Sequence, residues 1–351
     1  METLGDHTGL IPLEANPSWP PERTREAQAI RRILVCLDDS TFSAAILPHA
    51  IAISKALGSS ITLLHVMQPP REHARQQSTD VLEWEISRQE AFAYLERLEE
   101  QASQASGRPV DSRLEQGLPA ERITAVAREL DADLTVLGSQ GDRDISAWNL
   151  GSTVMQVLEL TRGSVLLARR RPPSAQDVSP KRILVPLDGS VRSESVLPTV
   201  ARIASTHDAE VLLVFAVPEA VPTAVLRTPE DLEVARDLAA RLEVSGKRYL
   251  AGLRDQLVRE WIAARTRVVR TANERHATLE LARYEHSDLI VLCAHGSTCN
   301  PALTFGSFTA HLLTHSTVPL LVLQDLGQSE LRARDERRSA PPLRACYPEG
   351  S

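Results

Sequence analysis

Two stretches of the 351-residue chain are near copies of two later stretches. Residues 32–48 and 182–198 are identical at ten of 17 positions, and residues 133–152 and 288–307 are identical at eight of 20. The two offsets are 150 and 155 residues, which is the length of a domain and far longer than a solenoid repeat. The chain is therefore predicted to be a tandem duplication of one domain.

Composition places the boundaries of the two copies. Polar, charged and proline-containing stretches flank and separate them. We predict a polar tail over residues 1–30, a first domain over 31–170, a linker over 171–180, a second domain over 181–326 and a disordered tail over 327–351.

Charge and cysteine content exclude several classes of protein. The net charge is −7, with no pole of one sign, which disfavours general binding to nucleic acid. The four cysteines have neither a disulfide-scaffold nor a zinc-site spacing, so no metal site is predicted and a reducing cytoplasm is the expected compartment. No stretch is long and apolar enough for a signal peptide or a membrane span, so no membrane partner is expected.

Both copies read as alternating strands and helices. Residues 33–37 form a short unbroken apolar run, typical of a strand buried on both faces. Pro48 and Pro198 fall inside the first helix of each copy, so we expect the same late start or kink in both. Such alternation predicts a parallel sheet with helices on both faces. The other predicted strands are 61–67, 110–114, 134–137 and 165–168 in the first copy, and about 183–187, 211–217, 267–270, 289–292 and 319–323 in the second.

Glycines and an acid fall where the strands of such a sheet end. Asp38 ends the first strand, Gly138 and Gly141 follow the fourth, and Gly151 and Ser152 come nine residues later at a helix start. Glycine lets a backbone approach a phosphate, and a helix N-terminus attracts anions. An acid at a strand end can accept hydrogen bonds from ribose. An ordinary turn and a helix cap are the alternatives for the glycines and the acid.

The pattern Gly-x-x-Gly, followed after nine residues by Gly-Ser, resembles the ATP-binding signature of the universal stress protein family. The opening at residues 35–40, His65-Val66 and residues 117–121 fit the same pattern. The resemblance covers nearly all of residues 31–326. It implies an α/β chain of two tandem Rossmann-like, adenine nucleotide alpha hydrolase-like domains. Each would be a five-stranded parallel sheet of order 3-2-1-4-5 flanked by helices.

The same resemblance implies a ligand and its residues. The ligand would be ATP, with or without Mg²⁺, or AMP or another adenine nucleotide. In the first copy the implied binding residues are Cys36, Asp38, Val66, Gly138, Gly141, Gly151, Ser152 and Thr153. In the second copy they are Pro186, Asp188, Ala216, Gly296, Gly306 and Ser307. The resemblance also implies pairing of the two last strands within the chain, as an intrachain pseudo-dimer, with a homodimer as a further state.

The second copy departs from the signature, since Cys293 stands where the first copy has Gly138. If this position needs a positive φ, a cysteine is strained there and crowds the ligand. We therefore favour the first copy, although Asp142 and Asp144 would face the phosphates, with Arg143 between them as an offset.

The chemistry expected is binding, not catalysis. The sequence has no recognisable nucleophile–base pair, so we predict no enzyme, although slow ATP hydrolysis is compatible with the site. His295 is either a phosphate contact or a structural residue, and the cysteines read as small apolar fillers. The leading hypothesis is a cytoplasmic nucleotide-binding stress-response protein; the alternative is an ATP-independent interaction scaffold.

Overall fold

The computed structural model describes residues 29–38, 43–68, 78–139, 150–169, 178–219, 228–297, 299–327 and 330–331. Gly141, the acids at 142 and 144, and most of both predicted tails and of the linker lie outside these residues.

The first half alternates strands and helices as predicted, with five strands and four helices in the described residues. Its elements are β1 (Arg32–Leu37), α1 (Ser43–Leu57), β2 (Ser60–Met67), α2 (Ser78–Ser106), β3 (Val110–Gln116), α3 (Pro119–Glu129), β4 (Leu134–Gly138), α4 (Ser152–Leu160) and β5 (Ser164–Ala168).

The second half repeats the order with one extra short helix. Its elements are β6 (Arg182–Leu187), α5 (Val191–Glu194), α6 (Leu197–His207), β7 (Glu210–Pro218), α7 (Pro229–Arg259), β8 (Ala264–Thr271), α8 (Glu274–Tyr284), β9 (Leu289–Cys293), α9 (Ser307–His315) and β10 (Leu320–Leu323). No helix in the described ranges has the length together with the apolar character that crossing a bilayer demands.

All ten strands belong to one sheet, in the order β3-β2-β1-β4-β5-β10-β9-β6-β7-β8. Within each half the strands are parallel in the order 3-2-1-4-5, which confirms the predicted fold class. The halves meet where β5 and β10 pair antiparallel, with Leu166 opposite Leu321. The sheet therefore runs through the junction between the two copies without a break.

Aliphatic side chains fill both faces of this sheet, as a chain with 4% aromatic residues requires. Neighbouring residues alternate between the faces: Ile33 and Leu321 belong to one core, and Leu34 and Leu320 to the other. Both cores include residues of both halves, so the junction is buried on either side of the sheet.

The two prolines shape their helices differently, and the expectation of one shared geometry is wrong. Pro48 lies inside an unbroken α1. In the second half the helix is interrupted after α5, and Pro198 stands in the first turn of α6. A proline lacks the N–H that a helix interior needs but is tolerated in the first turn, which explains why α6 starts afresh there.

Polar side chains also tie the halves together, mostly through carbonyl groups near helix ends. His207 Nε2 lies 2.9 Å from the Ala52 carbonyl oxygen. Arg202 donates to the Leu57 carbonyl oxygen at 2.7 Å. Arg169 is buried and donates to the carbonyl of Leu313, and burial lowers its pKa to about 10. The two arginines suit the carbonyls of Leu57 and Leu313 because these lie at or near the C-terminal ends of helices, which carry partial negative charge.

Because the sheet is continuous, we expect the two halves to unfold together. Replacing the fully buried Leu321 by alanine should lower the free energy of unfolding by about 2–5 kcal/mol and shift the single transition as a whole. Urea unfolding followed by circular dichroism measures this. Leu118→Ala, at a side chain 62% exposed, is the control and should change stability by less than about 0.5 kcal/mol. Two separate transitions, only one of them moved by Leu321→Ala, would contradict the coupling.

Candidate functional site

The residues predicted for the first site gather at one edge of the sheet. The register pairs Leu37 with His65, so the residues after them, Asp38 and Val66, lie side by side at the strand ends. The pairing of Val35 with Val136 places Gly138 level with Leu37. Helix α4 begins beyond the same edge. The residues placed here are Cys36, Asp38, Val66, Gly138, Gly151, Ser152 and Thr153, whereas Gly141 lies outside the described residues.

The loop between the fourth strand and the next helix is pinned at both ends in the same way in each half. In the first half, Gly151 N–H donates to Ser139 O at 3.2 Å, and Ser139 N–H donates to Ala168 O at 3.0 Å. In the second half, Gly306 N–H donates to Ala294 O at 2.8 Å. The amides of Gly151 and Gly306 are thus engaged, and the first N–H groups of α4, which have no partner inside the helix, include those of Ser152 and Thr153.

Gly151 has no conformational or packing reason to be glycine. Its φ of −60° is open to any residue, and a Cβ built on it would meet nothing within 4 Å. It is the N-cap of α4 and offers no side chain to cap the helix, and the following Ser152 is exposed. Among the described residues, the glycine therefore leaves open space directly at a helix N-terminus, the kind of place that accepts an anion.

In the second half an acid of the protein itself holds the loop after β9, beside Gly296. Asp188 accepts from Ser297 N–H at 2.7 Å, from Ser190 Oγ at 2.6 Å and from Ser190 N–H at 3.0 Å. A Cβ on Gly296 would lie 2.6 Å from Asp188 Oδ2, so only glycine fits beside this carboxylate. Burial favours the neutral acid, but the hydrogen bonds outweigh it and the pKa of Asp188 is lowered. Asp188 thus locks strand β6 to the loop after β9.

His295 does not play the role expected of it. Its ring is fully buried, with Nδ1 at 2.9 Å from Asp325 Oδ1 and Nε2 at 3.1 Å from the Leu303 carbonyl oxygen. Its backbone N–H also donates to Asp325 Oδ1, at 3.1 Å. The expectation of a phosphate contact from this ring does not hold in this structure. Two loop amides of the second half, those of His295 and Ser297, already donate to carboxylates.

Cys293 is not strained, and the expectation of a positive φ at this position is wrong. It is the last residue of strand β9, and the non-glycine residues with positive φ in the described ranges lie elsewhere. Its side chain is buried, and burial raises the pKa of its thiol, as it does for Cys36 in β1. Both thiols are therefore held protonated, as packing groups.

The remaining predicted residues of the second half lie at the corresponding edge. Leu187 pairs with Phe215, which sets Asp188 beside Ala216, and Pro186 lies within β6. Ser307 opens α9 and its hydroxyl accepts from Arg275 at 3.2 Å. Sequence reasoning missed Ser190, Ser297 and Asp325. The Asp-x-Ser spacing signalled the first of these, whereas nothing in the sequence connected Asp325 with a loop thirty residues earlier.

A described cavity of about 370 Å³ does not belong to this edge. It is lined by Arg32, Asp133 and Ser164, which stand at the amino ends of strands of the first half, and by Gln324 and Leu331. In a parallel sheet the ligand crevice lies at the carboxyl ends. The candidate site is therefore defined by its loops and helix ends.

The lowered pKa of Asp188 predicts a pH-dependent contribution to stability. Asp188→Asn should cost about 1–3 kcal/mol at pH 7, because the carboxylate loses its charge-assisted hydrogen bonds. The pKa of Asp188 is lower in the folded chain than in the unfolded chain. The carboxylate therefore stabilises the fold fully at pH values above the ordinary aspartate pKa, and this stabilisation is lost as the pH falls through the pKa of the folded chain. Urea unfolding at pH 7 and near pH 3 measures the difference, with the exposed Asp237→Asn as control. An equal cost at both pH values would contradict the assignment.

Comparison with known proteins agrees with the fold. A functionally unknown protein of Pseudomonas aeruginosa PAO1 is 16% identical, with a TM-score of 0.59 over 90% of this chain and 99% of its own. A universal stress protein from Archaeoglobus fulgidus DSM 4304 is 18% identical, with a TM-score of 0.57 over 84% of this chain and 98% of its own. No curated protein matches the chain.

The sequence model of the universal stress protein family matches the chain twice, over residues 29–169 and 180–324. These two matches cover each of the two five-stranded halves of the sheet. The protein therefore belongs to the universal stress protein family, as a member with two tandem domains.

Proposed function

We propose that the first half binds one adenine nucleotide, ATP with or without Mg²⁺ or a related nucleotide, and that the protein is a cytoplasmic stress-response regulator. The observation that carries this proposal is the open space at Gly151, directly at the N-terminus of α4. Binding, not turnover, is the proposed activity, and slow hydrolysis of ATP is compatible with it.

Each element at this edge is proposed to contact a different part of the nucleotide. The amides of Ser152 and Thr153 and the hydroxyl of Ser152 are the donors proposed for the phosphates, helped by the positive end of the α4 dipole. Asp38, exposed at the end of β1, is the proposed acceptor for ribose hydroxyls. Val66 at the end of β2 supplies backbone beside the adenine.

The second half is proposed as the weaker or empty site. Its loop amides at His295 and Ser297 donate to Asp325 and Asp188, so a phosphate would have to displace two carboxylates. Like charges also oppose an anion there. These contacts are the argument against the second half, where the sequence had only Cys293 to argue from; the corresponding loop of the first half, residues 140–149, lies outside the described residues.

An ATP-independent scaffold is the second candidate, and one observation favours it. Helices α2 and α7 have 29 and 31 residues, much longer than the strands they cover. Both expose apolar side chains towards their amino-terminal ends, namely Leu82 and Ile86 in α2 and Val234 and Leu238 in α7.

Under either function we propose that the two halves act as an intrachain pseudo-dimer, with a homodimer as a further association.

Two matched variants test the nucleotide proposal. Calorimetric titration of the full chain with ATP and Mg²⁺ should give one site per chain. Gly151→Val puts a side chain into the open space and should weaken binding at least tenfold, about 1.4 kcal/mol or more. Gly306→Val is the control: it makes the same change at the equivalent N-cap, where a Cβ meets nothing closer than 3.5 Å, and should leave binding unchanged.

Other outcomes assign the function differently. Loss of binding in Gly306→Val alone would move the nucleotide to the second half. No binding of ATP, AMP or any co-purified nucleotide by the wild-type chain would overturn the proposal in favour of the scaffold. Circular dichroism of each variant verifies that both remain folded.

A further inference from the structure

Three side chains with metal-ligating atoms meet in the second half, behind the loop that follows β9. His295 and Cys299 lie on this loop, and Asp325 follows β10. One ligand atom from each lies within 4.8 Å of the other two. The side chains of His295 and Asp325 are 0% and 2% exposed, whereas Cys299 is partly open to solvent. The cluster is thus a built, buried site with one ligand on its entry side.

Both ring nitrogens of His295 face atoms that accept hydrogen bonds. Its Nε2 faces a carbonyl oxygen, Leu303 O, and its Nδ1 faces a carboxylate oxygen, Asp325 Oδ1. Both partners only accept hydrogen bonds, but a neutral imidazole has one N–H. When Nε2–H donates to Leu303, the lone pair of Nδ1 is directed at Asp325, and only a proton or a metal ion relieves that contact.

The hydrogen bond of Nε2 to a backbone carbonyl is the arrangement found behind metal-bound histidines. Such a bond fixes the tautomer and turns the other nitrogen to the metal. A proton shared with Asp325 would not require a third ligand, whereas Cys299 places a sulfur within reach of the same point. Nitrogen, sulfur and oxygen donors together suit Zn²⁺.

We propose that His295 Nδ1, Cys299 Sγ and a carboxylate oxygen of Asp325 form a binding site for a divalent cation of the zinc class. Zinc–ligand bonds of about 2.0–2.3 Å in a tetrahedron separate the ligand atoms by roughly 3.3–3.6 Å, so small side-chain adjustments form the site. Three protein ligands leave the fourth position to water or another small ligand. The bound ion links the loop after β9 to the segment after β10.

The charges around the cluster balance with the ion in place. Arg192 donates to Asp325 Oδ2 at 2.6 Å and to Glu330 at 3.2 Å, leaving Oδ1 on the side of His295. With a thiolate at Cys299, two carboxylates and one guanidinium, the group carries two net negative charges, which a divalent ion neutralises. Without the ion, burial raises the pKa of the Cys299 thiol; a coordinating metal replaces that proton.

Cobalt and zinc titrations of the full chain, first stripped with a chelator, test the site. Co²⁺ should bind one per chain with a thiolate-to-metal charge-transfer band in the near ultraviolet, and Zn²⁺ should displace it and raise Tm. Cys299→Ser should abolish the band and weaken zinc binding at least about tenfold. Asp325→Asn should weaken it as well.

Two variants serve as controls. Cys346→Ser should leave the cobalt band unchanged. His311→Ala should do so too; it removes one of two stacked histidines in α9, His311 and His315, whose spacing could bind metal adventitiously. Circular dichroism shows which variants fold, and Cys299→Ser, at a partly exposed side chain, keeps the test valid if Asp325→Asn fails to fold.

The result that would overturn the proposal is metal binding equal in wild type and Cys299→Ser, or none in either. His295 and Asp325 would then form a hydrogen-bonded structural pair only.

Discussion

The antiparallel pairing of β5 with β10 is the contact on which the arrangement of this protein depends. Either half alone would expose the last strand of its sheet as an unpaired edge, with backbone donors and acceptors open to water or to another chain. Joined, the halves form one ten-stranded sheet whose two cores run across the junction. Helix-end carbonyls of one half then accept hydrogen bonds from the other, as Leu57 does from Arg202.

The pairing also lets two copies of one domain diverge. Asp325 directly follows the junction strand β10, and it reaches back to the loop after β9 through His295. In the first half the residue at the corresponding position is Arg170, so the same acid is missing there. In the described residues, the second copy fills the loop after β9 with its own carboxylates. The proposed anion site and the proposed cation site would place two different chemistries on one duplicated scaffold.

Local sequence patterns predicted a helix or strand correctly where residues close in sequence determine it. Pro119 marked the first turn of α3, and the apolar run at residues 33–37 marked a buried strand. They failed at Pro48 and Pro198, whose similar positions in the repeat led to one continuous helix and one interrupted helix. The condition under which Cys293 would be strained, a positive φ, is not met, because the residue is the last of an ordinary strand.

The sequence by itself determined the duplication, the strand–helix alternation and the edge where the site residues gather, because repeats, hydrophobic periods and parallel topology are all readable along the chain. Only the tertiary structure decided which contacts hold the loop after β9. The contacts of Asp188 with Ser297 and of His295 with Asp325 join residues 109 and 30 positions apart, and no local pattern encodes them. Such long-range pairs depend on how strands are ordered and registered across the sheet, which only the folded chain sets.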